Sequence, residues 1–268
     1  MSEARQCWQI LVTRPEPAAS TWAAALSACS YRVSIASVMK LVPVTELGAQ
    51  QAIKNVVLDF DHFQKAMFVS ANAVSEAMRW LEDYWPQLPL GVSYFAVGHK
   101  TAQALEACGL TVTALGDEQG SMNSEALLEA PALQSVADEK IVIFRGVGGR
   151  DLLRDRLSER GAGVTYCELY RRELPAAAAE YVQQVLTDAQ TAGRKLLLTV
   201  HSGESLDNLV TCAGLQGVSL TEYPLLVPGE RVAAMAQRLG FGRVITAKNA
   251  SDAAMLQALT DYTDAEFH

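Results

Sequence analysis

The chain alternates two kinds of segment from end to end. Short apolar runs fall at Trp8–Thr13, Arg32–Ser37, Ala66–Ser70, Tyr94–Gly98 and Val112–Gly116 in the first half. Ile141–Arg145, Gly163–Tyr166, Leu196–Val200, Leu225–Pro228 and Arg243–Ala247 continue the series in the second. Between most of them lie alanine-rich stretches of helical length, such as Ser20–Ala28, Thr101–Cys108, Asp151–Arg160 and Arg231–Leu239. The runs are continuously apolar rather than alternating, the pattern of strands buried on both faces. Strands alternating with helices imply βαβ units, whose crossover helices cover both faces of a parallel sheet. The predicted class is α/β.

The pattern also repeats. Ile10-Leu11-Val12-Thr13-Arg14 matches Ile141-Val142-Ile143-Phe144-Arg145. At the same displacement Leu26 meets Leu157, Val33 meets Val164, and Gly98, Ala102 and Gly109 meet Gly229, Ala233 and Gly240. At nearly the same displacement Phe68-Val69-Ser70 meets Val200-His201-Ser202, and Ser124-Glu125-Ala126 meets Ser251-Asp252-Ala253. Chance supplies one such match, not an ordered series, so the chain is two copies of a five-stranded α/β unit. Repetition does not say which strands share a sheet. One layout splits the chain near Pro131. In the other the strands near Ile10 and Val33 join those near Leu197, Val227 and Val244, and the five from Ala66 to Tyr166 form an inserted domain. Pattern alone leaves both open.

Composition narrows the partners. Of 268 residues, 50% are hydrophobic and 19% charged, the balance of a soluble globular protein long enough for two domains. No run of about 18 apolar residues offers a membrane span, and Met1-Ser2-Glu3-Ala4-Arg5-Gln6 leads into the first strand without the apolar core of a signal peptide. Cys7, Cys29, Cys108, Cys167 and Cys212 are odd in number and scattered, which argues for reduced thiols and against a disulfide framework or a zinc site. Four dispersed histidines make no metal cluster. A net charge of -8 disfavours nucleic acid but not a small anion, because screening leaves local arginines and helix ends to decide.

Several segments are familiar together. Ile10-Leu11-Val12-Thr13-Arg14-Pro15, Phe68-Val69-Ser70-Ala71-Asn72-Ala73-Val74 and Val97-Gly98-His99-Lys100-Thr101-Ala102 resemble the uroporphyrinogen-III synthase family. So do the segments Arg145–Leu153, Glu168–Arg172, Ser202–Ser205 and Ala250–Met255. Each is loose alone, but they come in the right order from about Ile10 to Leu259.

The resemblance implies two flavodoxin-like five-stranded parallel-sheet domains joined by a two-stranded connector. Residues 1–42 plus 172–268 would form a discontinuous domain, 45–166 an inserted one, and 41–45 with 167–171 the connectors. Pro43, poor in a central strand, suits an exposed connector. The implied ligand site is a cleft between the domains, beyond the carboxyl ends of the strands. The implied activity is that of a lyase of heme and siroheme biosynthesis. It cyclises and dehydrates hydroxymethylbilane to uroporphyrinogen III, inverting the last pyrrole through a spiro intermediate. No cofactor or metal is implied, because departure of the terminal hydroxyl leaves a pyrrole-stabilised cation and positioning is the main catalytic need. A cytoplasmic monomer is expected, with no nucleic-acid or membrane partner and only transient contact with hydroxymethylbilane synthase.

Hydroxymethylbilane carries carboxylates on acetate and propionate arms, so its site needs anion donors. Helix N-termini supply unpaired N–H groups and partial positive charge. The strand-to-helix corners are Ser70-Ala71-Asn72, Gly98-His99-Lys100-Thr101, Ser202-Gly203 and Gly229-Glu230-Arg231. Ser70, Ala71, Asn72, Gly98, Lys100, Thr101, Ser202, Gly203, Gly229 and Arg231 are therefore candidate substrate contacts, although Ser70, Ser202 and Thr101 would also serve as ordinary caps. Val232 stands where the first copy has Thr101, which puts a hydroxyl contact there in doubt. Arg14, Arg145 and Arg150 follow strand ends at symmetric places and are candidate carboxylate partners. His201 reads as a partly buried strand-end histidine. Tyr170 matches the family's connector tyrosine and is the candidate proton donor to the leaving hydroxyl. Gly146-Val147-Gly148-Gly149 lacks the third glycine of a dinucleotide loop, Asp151 standing in its place. The rival reading is a non-catalytic, duplicated flavodoxin-like binding or sensor protein for a small anion.

Overall fold

The structure, a computed structural model, describes residues 5–115 and 124–266. Met1–Ala4, and Gly116 at the predicted end of one strand, lie outside the described residues. The first part of the chain runs β1 (Trp8–Val12), α1 (Ala18–Ala28), β2 (Arg32–Ile35) and β3 (Lys40–Pro43). Then come α2 (Leu47–Leu58), β4 (Lys65–Phe68), α3 (Ala71–Tyr84), β5 (Ser93–Ala96), α4 (His99–Ala107), β6 (Val112–Leu115), α5 (Ser124–Leu128), β7 (Lys140–Gly146), α6 (Leu152–Glu159) and β8 (Gly163–Glu173). The last part is α7 (Ala178–Thr191), β9 (Lys195–Thr199), α8 (Gly203–Leu215), β10 (Leu225–Val227), α9 (Glu230–Arg238), β11 (Val244–Thr246) and α10 (Asp252–Ala265). All ten predicted apolar runs are strands.

Two compact units result, one of residues 1–41 and 173–268, the other of 42–172. In the first the strand order is β11-β10-β9-β1-β2. Strand β1 pairs in parallel with β9, Ile10 opposite Leu197, and with β2, Ile10 opposite Val33. The early strands thus share a sheet with the late ones, and of the two layouts left open by pattern the contiguous split near Pro131 is not the one adopted. All five residues of β1 are buried, as its unbroken apolar run requires. One face meets Trp22 and Leu26 of α1 and Met255 and Leu259 of α10. The other meets Val182 and Leu186 of α7 and Leu206 and Leu209 of α8.

The second unit's order is β3-β8-β7-β4-β5-β6. This sheet has six strands rather than the expected five, because β3 adds to the edge. The segment expected as the returning connector, 167–171, is the continuation of β8, whose Glu168 and Tyr170 pair with Arg145 and Gly146 of β7. On the outgoing segment the Val44 N–H donates to the Leu169 carbonyl at 3.1 Å. Pro43, which has no N–H to give a ladder, sits on an outermost strand where that loss is tolerated. Helix α3 shows why these helices form: Ala73, Val74, Ala77, Met78 and Leu81 recur at three- and four-residue spacing and are buried, while Asn72, Ser75 and Arg79 are exposed. Among the described residues no helix is long and apolar enough to cross a membrane.

Candidate active site

In open parallel sheets ligands bind beyond the carboxyl ends of the strands, beside the point where strand order reverses. In the second unit that point lies between β7 and β4. Beyond β4, Ser70 has extended backbone and caps α3, its Oγ accepting the Ala73 N–H at 3.0 Å. The same Oγ lies 3.0 Å from the Tyr170 hydroxyl. Tyr170 is only 3% exposed, while Ser70 is half-buried. The phenol ring fills the space over Gly146, where a Cβ would stand 2.6 Å from its Cε2. Glycine at that position gives Tyr170 its place. Ala71 and Asn72 form the first turn of α3, outside its buried face.

Arg145 is the penultimate residue of β7 and 5% exposed, so it does not follow the strand as expected. Its guanidinium binds the next loop: it donates to the carbonyls of Gly146 (3.2 Å), Gly148 and Arg150 (3.4 Å) and lies 3.4 Å from an Asp151 carboxylate oxygen. It also stacks on Tyr166, 4.4 Å from the ring centroid. Burial, then the hydrogen bond to Asp151, pushes the Tyr166 phenol up to about 12. Gly149 is required by its φ of 97° and by Arg145, whose Nη2 lies 2.8 Å from where a Cβ would be. A cavity of about 320 Å³ opens here, lined by Val69, Val97, Arg145, Gly149, Arg150 and Tyr166 among others. Arg150 itself is exposed and pairs with Glu125 at 2.9 Å.

The first unit repeats the serine corner. Ser202 Oγ accepts the Ser205 N–H at 3.0 Å and lies 2.9 Å from Ser205 Oγ. Gly203 is buried close against Met235 and the Arg231 guanidinium. Gly229 caps α9 with a φ of 97°, a conformation that calls for glycine. Its counterpart Gly98 caps α4 with extended backbone. Lys100 is exposed in that first turn. Thr101 and Val232, repeat partners, are 4% and 2% exposed, so this position packs inward in both copies. The His201 ring meets Trp22 edge to face at 4.6 Å. Arg14 is paired with Asp252, in the first turn of α10, at 2.6 Å.

The structure therefore brings Ser70, Ala71, Asn72 and Tyr170 together in one unit and Ser202, Gly203 and Arg231 in the other. It leaves Arg14 committed to an ion pair and Arg145 to its own loop. Sequence reasoning missed Gly146, Tyr166 and Ser205 as parts of these sites. Ser205 had a signal, the serine three residues past a cap; the other two depend on register between β7 and β8.

The class defined here is a duplicated α/β protein with a serine-capped helix corner at the carboxyl edge of each parallel sheet. A family model described as uroporphyrinogen-III synthase HemD matches residues 20–257. The uroporphyrinogen-III synthase of Escherichia coli (strain K12) is 33% identical over 254 residues, which cover 93% of this chain and 99% of that protein. That of Salmonella typhimurium (strain LT2) is 33% identical over 257 residues, again 93% and 99%. Among solved structures, a mutant uroporphyrinogen III synthase from the extremely thermophilic bacterium Thermus thermophilus aligns with a TM-score of 0.60 at 17% identity, covering 96% of this chain and 99% of that one. The Helicobacter pylori 26695 uroporphyrinogen-III synthetase aligns with a TM-score of 0.60 at 16% identity, covering 95% and 98%. These two structures share the fold. The chain belongs to the uroporphyrinogen-III synthase family.

Proposed function

We propose that the chain is a lyase that cyclises and dehydrates hydroxymethylbilane to uroporphyrinogen III, inverting the last pyrrole through a spiro intermediate. The observation that carries this reading is the corner where Ser70 Oγ meets the buried Tyr170 hydroxyl at 3.0 Å at the carboxyl end of β4. A phenol beside a helix N-terminus supports a reading in which a proton donor and a seat for carboxylates serve the same substrate. The relatives that match nearly end to end carry the name of this enzyme, which supports the substrate class.

In this reading the first-turn N–H groups after Ser70, Gly98, Ser202 and Gly229 receive acetate and propionate arms, with Lys100 and Arg231 beside them. Arg145 acts indirectly, holding the 146–151 loop. Tyr170 supplies the proton that carries off the terminal hydroxyl. The pyrrole-stabilised cation left behind needs no metal or redox partner, and holding the bilane for attack at the substituted carbon supplies most of the catalysis. A cytoplasmic monomer meeting hydroxymethylbilane synthase only in passing is part of the same reading.

The test is consumption of freshly generated hydroxymethylbilane by the full-length chain. A synthase consumes many equivalents per protein molecule, faster than the spontaneous reaction. A binding or sensor protein returns the bilane unchanged, and disappearance at the blank rate overturns the proposal.

A further inference from the structure

We propose that Ser70 is the residue that delivers the proton to the leaving hydroxyl, with Tyr170 behind it as the reservoir, and that the matching corner at Ser202 binds without donating. This rests on the synthase reading above and assigns its proton path. A serine hydroxyl has two acceptor sites and one proton. At Ser70 the Ala73 N–H occupies one acceptor site at 3.0 Å. The second contact, at 3.0 Å, is the Tyr170 hydroxyl. A phenol is a stronger acid than an aliphatic alcohol, so Tyr170 is the donor of this pair. With both acceptor sites filled, Ser70's own proton has to point elsewhere. Two donors into one oxygen also polarise it as a donor in turn. Accessibility gives the direction: Tyr170 is 3% exposed and Ser70 is half-buried, so a bound molecule reaches the serine before the phenol.

The duplication supplies an internal comparison. Ser202 has the same N–H contact, from Ser205 at 3.0 Å, and the same second hydroxyl contact, at 2.9 Å. There the hydroxyl behind it is another serine, 3% exposed. An alcohol behind an alcohol gives a good hydrogen-bond donor but no acid to replenish it. Only the Ser70 corner has a phenol in that place.

The proton balance closes within the pair. As the carbon–oxygen bond of the bilane breaks, its electron pair leaves with the oxygen. Ser70 Oγ gives that oxygen its proton and water departs. Tyr170 reprotonates Ser70, and the resulting phenolate faces the pyrrole-stabilised cation. After the new carbon–carbon bond forms, the proton released on restoring the aromatic ring returns through Ser70 to Tyr170.

Single-turnover and steady-state kinetics on freshly generated hydroxymethylbilane test this, using the full-length chain and Ser70→Ala, Ser70→Asn, Ser70→Thr, Tyr170→Phe, Ser202→Ala and the Ser70→Ala/Tyr170→Phe double variant. Asparagine keeps a capping oxygen for α3 but passes on no proton, so thermal melting of the Asn variant separates loss of the cap from loss of the relay. The Ala and Asn variants should lose kcat on the order of 10²-fold, within the usual range for a general acid. Their KM should stay within a few-fold, and threonine should restore most of the rate. The double variant should be no slower than Ser70→Ala alone, while the loss in Ser202→Ala should fall on KM. The relay is overturned if the Ser70 losses fall on KM, if threonine is no better than alanine, or if Tyr170→Phe slows the Ser70→Ala protein as much as it slows the parent. A parent chain no faster than the blank overturns the synthase reading, and the relay with it.

Discussion

Gly146 and Tyr170 face each other across β7 and β8, and the absence of a side chain on one gives the ring of the other its position. Gly146 is not among the glycines with positive φ, so an alanine there meets steric conflict only, at 2.6 Å from the ring. Overpacking of this kind costs about 1–3 kcal/mol. Gly146→Ala should fold with a lowered urea midpoint and lose turnover by displacing the phenol from Ser70; parental turnover would show that the phenol's position is immaterial. Cys167, buried on β8 opposite Phe144 of β7, makes a second prediction. Burial above all, then the charge of Glu168, pushes its thiol up to about 12. In the unfolded chain a thiol titrates near about 8.5. The folded protein therefore holds a proton that the unfolded chain releases, and this contribution to stability, complete below about pH 8.5, is lost as pH rises towards 12. The urea midpoint should fall between pH 8 and pH 10.5, less steeply in Cys167→Ala. Native alkylation should take the exposed Cys7 and Cys108 but spare Cys167 and Cys212; equal labelling of Cys167 and Cys108 would contradict the burial. The serine corners could be read in the sequence because strand, serine and helix are contiguous. The Ser70–Tyr170 contact could not, since it joins residues 100 positions apart through a register that no local pattern encodes.

At the scale of elements, ten strands announced themselves as apolar runs because buried parallel strands leave no polar face. The eleventh, β3, did not. Lys40-Leu41-Val42-Pro43 is short, begins with a charge and ends with proline, and only pairing with β8 makes it a strand. The same pairing extends β8 to Glu173, well past the apolar run that marked its start. Sheet membership decides which fragments can fold. Residues 42–172 contain every strand of the β3-β8-β7-β4-β5-β6 sheet, short of the outermost residues of β3 and β8. Residues 1–131 hold only two strands of one sheet and four of the other. A fragment of residues 42–172 should unfold cooperatively in urea, and one of residues 1–131 should not. The opposite result would contradict the strand order.

At the scale of the whole molecule, duplication gave each unit the same corner, and divergence made the corners unlike. The first copy keeps Thr101 where the second has Val232, and both are buried, so that difference is one of packing. Behind the capping serines the difference is chemical, Tyr170 on one side and Ser205 on the other. Under the proposed function, helix-corner N–H donors would suit a substrate with many carboxylates, and a phenol at the Ser70 corner alone would suit one with a single hydroxyl to lose. The central claim is that this chain directs ring closure, and the isomer of the product reports it most directly. Freshly generated hydroxymethylbilane is incubated with the full-length chain, the products are oxidised to porphyrins and the isomers are separated by chromatography. The account predicts predominantly the type III isomer, whereas the blank gives the symmetrical type I. Type I alone, in the amount the blank yields, would contradict it.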